Sequence, residues 1–140
     1  FQHTQHLEGI PTLEIKVGCD QDGFDLFVAL SVVNYDQTCI DQLSTGLIRV
    51  IGESSKELQQ RRIFLQPLLA DIKQGERIRI SISGSAWPAL AINPGHNSNP
   101  CGPPNSNCLV TTISMHLKHS KFQLQPMLLQ KGLQEAHSPD

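Results

Sequence analysis

Six histidines (His3, His6, His96, His116, His119 and His137), several aspartates and Ser85 are the side chains from which nucleophilic catalysis could be assembled. A Ser-His-Asp grouping is built by geometry, so sequence spacing alone does not exclude it. The nucleophile of an α/β-type serine hydrolase, however, needs a strained strand-to-helix turn written Gly-x-Ser-x-Gly. Gly84-Ser85-Ala86-Trp87 lacks the second glycine, and Pro88 opposes the helix that should follow. His3, His6 and His137 fall in expected tails, His119 in a polar turn and His116 on the polar face of a strand. No catalytic residue is assigned, and the histidines read as surface residues.

Metal chemistry is the closer question. His96, Cys101 and Cys108 lie near one another, with His116 following, but zinc ligands usually come as cysteines two to four residues apart. Cys101 and Cys108 are separated by six residues that include two prolines. With Cys19 and Cys39, they leave three readings in order of preference: free thiols, a Cys101–Cys108 disulfide, and a metal site. The run Asp20-Gln21-Asp22-Gly23 followed by Asp25 departs from the EF-hand pattern and reads as a turn with solvated carboxylates. No Gly-rich phosphate loop or dinucleotide fingerprint occurs. Neither a metal nor a cofactor is therefore expected.

The elements that must hold these residues are strands. The chain has 140 residues, of which 39% are hydrophobic and 17% charged, which suits one globular domain. The formal charge is −2 and no basic stripe appears, so neither nucleic acid nor an anionic membrane is an expected partner. No run reaches the ~20 apolar residues of a membrane helix. The start lacks the pattern of a secretory leader, which favours the cytoplasm. An opening on Phe1 without an initiating Met suggests an excised piece.

Alternation of apolar and polar residues is clearest in Arg77–Ser83, where Ile78, Ile80 and Ile82 share a face, and recurs in Leu13–Val17 and Leu109–Leu117. Asp25–Val33 is apolar on both faces and suits a central strand covered on both sides. Gly46–Ile51, Arg61–Gln66 and Lys121–Leu129 supply further strands. Ser55–Gln60 could form a turn or two of helix, Gln66–Ile72 a short irregular crossing, and His96–Asn107 a long exposed loop. Leu128–Glu135 reads as a tail that could be helical. The fold class is all-β: a jelly-roll β-sandwich of the galactose-binding-domain-like kind, with few or no helices. Arg49 interrupts an apolar strand, and a charge there needs solvent or a partner, which points to an Asp25–Arg49 pair across adjacent strands.

Gln74 to Pro88, continuing to Asn93-Pro94-Gly95, resembles the C-terminal domain of X-Pro dipeptidyl-peptidases and cocaine-esterase-like hydrolases. Asp25–Val33 looks like that family's Asp-aromatic-x-Val-x-Leu strand, Thr45–Val50 its Asp-Gly-x-x-Arg strand, and His116–Met127 its closing segment. The likeness runs from about Gly9 to about Met127. It departs at Glu76, at Thr45, at Lys118-His119-Ser120-Lys121 and in the hairpin Asp22–Asp25. The resemblance implies a tail at 1–8, a jelly roll at 9–129 and a tail at 130–140. It also implies a partner, the catalytic α/β-hydrolase domain of the same polypeptide, whose triad this chain would lack. Asp20, Gln21, Asp22, Phe24 and Trp87 are the expected residues of a substrate-pocket wall or interdomain contact, with Trp87, Leu90 and Phe24 at the edge of an exposed apolar patch. The other reading is a stand-alone carbohydrate- or ligand-binding sandwich, against which the single Trp and single Tyr weigh.

Overall fold

Most of the period-two patterning becomes strand in the computed structural model, which describes residues 1–96 and 106–126. In chain order the strands are β1 (Gln5–Cys19), β2 (Gly23–Val33), β3 (Ile40–Ile51), β4 (Gln59–Phe64), β5 (Leu68–Ile72), β6 (Arg77–Ser83) and β7 (Ile113–Gln125). One 3-10 turn, Glu53–Ser55, is the only helical element among the described residues. Every pairing is antiparallel. One sheet has β1 between β4 and β7, with β5 on its N-terminal part; the other runs β3-β2-β6. This is the all-β sandwich that the alternation predicts.

The two inner faces make one core. Leu13, Ile15, Val17 and Cys19 of β1 pack with Phe24, Leu26, Val28 and Leu30 of β2, joined by Val50, Ile63, Leu65 and Leu68. Each such burial stabilises by about 1.5–3 kcal/mol before conformational entropy is set against it. The outer face of β2 is covered as well, since Asp25, Ala29, Ser31 and Val33 are all buried.

Two glycines allow the layers to meet. Gly9 has φ of 143° where β1 leaves β5 and joins β4 and β7, and a side chain there would strike the Gln125 carbonyl. Gly46 bridges to Leu65 and so ties β3 of one sheet to the end of β4 in the other. A Cβ on Gly46 would lie 2.5 Å from the Phe64 carbonyl oxygen, so only glycine fits that corner.

Several boundaries differ from the sequence reading. Gln5–Gly9 pairs with Leu68–Ile72, so Gln5–Glu8 is strand and not tail, and the expected irregular crossing at Gln66–Ile72 is largely β5. The helix expected at Ser55–Gln60 gives way to the 3-10 turn, because Gln59 already pairs with Val17. The expected strands Leu109–Leu117 and Lys121–Leu129 join in one interrupted strand, β7, which begins only at Ile113, so Leu109–Thr112 is not strand, and residues 127–129 lie outside the described residues. Between the pairs Lys16↔His116 and Glu14↔Lys121 the register slips by three residues, which swings Leu117–Ser120 out as a bulge. Most of His96–Asn107, with Cys101 and its proposed disulfide, lies outside the described residues, as do the stretch after Pro126 and the tail with His137.

Candidate functional site

Asp25 and Arg49 are directly opposite in the β2–β3 register. Their side chains leave the same outer face and meet bidentately: Arg49 Nε donates to Asp25 Oδ1 and Nη2 to Oδ2, both at 2.7 Å. The Asp25 carboxylate is buried, so this fork supplies the counter-charge that it needs. The pair also binds a third segment. Arg49 Nη2 donates to the Ala91 carbonyl at 2.7 Å, and Asn93 Nδ2 donates to Asp25 Oδ1 at 3.0 Å. Asn93 Oδ1 in turn accepts from the Gly95 N–H at 3.0 Å. The chain after β6 is thereby fastened onto the outer face of the β3-β2-β6 sheet.

An apolar groove opens beside this cluster. Phe27 and Leu47, two residues along from Asp25 and Arg49, line it together with Phe64, Leu65, Ala89 and Leu90, around a volume of about 370 Å³. Leu47 and Phe64 are 40% and 55% exposed, which leaves the groove open to solvent. Trp87 lies in the turn after β6, two residues before the groove-lining Ala89, and is 65% exposed, with a cis peptide bond to Pro88. The Leu90 N–H closes the turn on the Ala86 carbonyl at 3.0 Å.

At the same end of β2 lies the β1–β2 turn. The Thr112 N–H donates to Asp20 Oδ1 at 2.8 Å, and Gln21 Nε2 to the Val110 carbonyl at 3.4 Å. The Gln21 carbonyl accepts from the Ser55 hydroxyl and the Cys19 thiol. The Gly52 N–H reaches the Asp22 carbonyl at 2.7 Å, and Lys56 forms an ion pair with the Asp22 carboxylate. The Thr112 N–H holds the Asp20 carboxyl below its ordinary pKa, and the bond to Asp22 raises that of the Lys56 ammonium. A turn stitched on both flanks presents its remaining polar groups in one fixed arrangement.

The predicted site residues thus divide. Asp20, Gln21 and Asp22 come together in one turn, Asp25 and Arg49 pair, and Trp87 is exposed in the turn after β6. Phe24 is a correction. It is 2% exposed, with the Arg61 guanidinium 5.6 Å from its ring centre, and so forms neither a wall nor the edge of a patch. β2 begins at Gly23, and in that phase Phe24 points inward with Leu26 and Val28. The carboxylates of Asp20, Asp22 and Asp25 go to three different partners. Ser85 lies in the turn after β6 with its N–H and carbonyl on the Ser83 hydroxyl. His6, 2.7 Å from Asp71, belongs to the exposed β1–β5 pair. Sequence reasoning missed Phe27, Leu47, Phe64 and Asn93. Only Asn93, in an Asn-Pro-Gly run, carried a local signal.

Comparison with known proteins agrees with this architecture. The crystal structure of an aminopeptidase from the marine sediment archaeon Thaumarchaeota archaeon superposes with a TM-score of 0.70 at 18% identity, over 83% of this chain and 22% of that one. A CocE/NonD family hydrolase from Staphylococcus aureus gives 0.49 at 22% identity, over 61% of this chain and again 22% of the other. The chain therefore spans about a fifth of either structure. No protein of curated function matches the sequence. Residues 1–125 match the family described as the X-Pro dipeptidyl-peptidase C-terminal non-catalytic domain, and on that match the chain belongs to this family of accessory domains.

Proposed function

We propose that this chain is the accessory sandwich of a serine hydrolase acting on X-Pro peptides, esters or acylated amines. It packs on the catalytic α/β-hydrolase domain of the same polypeptide and helps to shape that domain's substrate pocket. The observation that carries this reading is the open groove lined by Phe27, Leu47, Phe64 and Leu90, with Trp87 exposed in the turn that supplies Leu90. Its exposed apolar side chains, Leu47 and Phe64, are suited to burial against a partner. The size relation supports the same reading, since most of the matched aminopeptidase chain lies beyond the part that resembles this one. The Asp20–Asp22 turn, stitched on both flanks, is suited to forming a rigid wall.

A carbohydrate-binding role is less well supported. Trp87 follows Ser83, which pairs with Phe27, whereas Tyr35 follows Val33, which pairs with Arg77. The two exposed aromatics therefore stand at opposite ends of β6, about 20 Å apart at ~3.3 Å per residue, and share no platform. The test is to produce this chain and the rest of its polypeptide as two pieces. They should co-purify and hydrolyse an X-Pro or ester substrate together, while Leu47→Asp with Phe64→Asp should abolish association. Co-purification unaffected by these two changes would refute the docking face.

A further inference from the structure

A sandwich does not need a buried carboxylate at Asp25. Desolvating such an ion costs several kcal/mol, and a well-packed apolar pair is often as stable. What an apolar pair could not supply is direction. Arg49 and Asn93 reach Asp25, and their bonds place the Ala91 carbonyl and the Asn93 backbone at defined points on the sheet. The segment so held continues the turn Ala86–Leu90, whose Ala89 and Leu90 line the groove and whose Trp87 is exposed. The Pro94 carbonyl, which accepts from the Leu109 N–H at 2.8 Å, fastens the far end of the same segment.

We infer that Asp25, Arg49 and Asn93 are positioning residues for the interface: they pre-set the Ala86–Leu90 turn so that Trp87 and Leu90 anchor the catalytic domain without rearranging. The inference rests on the docking reading above. A large aromatic held in place before binding loses little freedom on contact, and such residues dominate interface energetics.

Trp87 is the only tryptophan in the chain, so its fluorescence reports on this turn alone. Two variants separate positioning from folding. Asn93→Ala removes the loop's side-chain bond to Asp25 and leaves the Asp25–Arg49 fork with its bond to the Ala91 carbonyl. The double change Asp25→Leu with Arg49→Leu removes both charges together, and so avoids an unpaired buried ion. Both should fold to the same circular-dichroism spectrum as the parent chain, with Trp87 anisotropy lowered and acrylamide quenching raised about twofold. Both should bind the catalytic piece at least tenfold more weakly, as should Trp87→Ala. Trp87 signals unchanged in both variants would overturn the inference, as would a looser turn that binds as well as the parent chain. Failure of the unaltered chain to bind the catalytic piece would instead defeat the docking reading itself.

Discussion

Replacing Gly46 by Ala tests the corner where the two sheets meet. The added Cβ would sit 2.5 Å from the Phe64 carbonyl and 3.0 Å from both Cα and Cγ of Leu65. Ordinary contact begins near 3.4 Å, so β3 and β4 must part by about 0.9 Å. Two hydrogen bonds span that corner: Gln66 N–H to the Thr45 carbonyl at 2.9 Å, and the Ser44 hydroxyl to the Gln66 carbonyl at 2.6 Å. Losing them costs about 1 kcal/mol each, and straining the packing of buried Leu65 costs a further 1–3 kcal/mol, roughly. The expected loss is about 3–5 kcal/mol. For a domain of this length the unfolding entropy is about 0.25–0.3 kcal/mol/K, so the melting temperature should fall by about 10–20 °C. Gly84→Ala is the control, because its Cβ would meet only the tip of Ile113 at 3.1 Å, which can swing away. Calorimetry on the two variants decides. A Gly46→Ala melting temperature within about 3 °C of the parent would refute the close approach of β3 and β4.

Three further outcomes are expected. Asp20 has a lowered folded pKa, so its contribution is fully present above its unfolded value near pH 4, roughly, and is lost as pH falls through the lower folded value; acid melts of Asp20→Asn should lack that part of the pH dependence. In a thiol titration of the folded chain, Cys39, which is exposed, should react at once. Cys19, buried with its thiol on the Gln21 carbonyl at 3.0 Å, should react only on unfolding, as Cys39→Ala and Cys19→Ala would assign. A fluorophosphonate probe should leave this chain unlabelled, and Ser85→Ala should change neither that result nor the melting temperature.

Strand periodicity was legible because a strand with one buried face must alternate, and β2 stood out because both of its faces are covered. The Asp25–Arg49 contact was legible for a related reason: a charge inside an apolar strand needs a counter-charge, and Asp25 opens the other strongly apolar strand. β5 escaped notice because Leu68 and Leu69 are adjacent apolar residues, one in the core and the other 67% exposed, which blurs the alternation. β7 read as two strands because its bulge inserts three residues, so the inward phase passes from Ile113 to Phe122 and Leu124. Phe24 was misplaced by a strand start two residues late. Of the groove only Leu90 was legible, as the edge of an exposed apolar patch. The groove needs Leu47 of β3 and Phe64 of β4 side by side, and that adjacency is made by the Gly46–Leu65 bridge between the sheets. Nothing near either residue in the chain announces it.

β1 is made first and finished last. Its hydrogen-bonding partners are β4, β5 and β7, and Ile10 waits for Gln125, about 115 residues further on. At a synthesis rate of about 5–20 residues per second that interval is roughly 6–23 s. During it a long strand with one apolar face has an unfilled edge, which is the kind of segment that pairs with other chains. Pairings this distant in sequence also close slowly, because the intervening chain must be ordered first. The emerging polypeptide therefore depends on whatever shields β1 on the ribosome, and its yield in a recombinant host should rise with slower translation or added holdase chaperone.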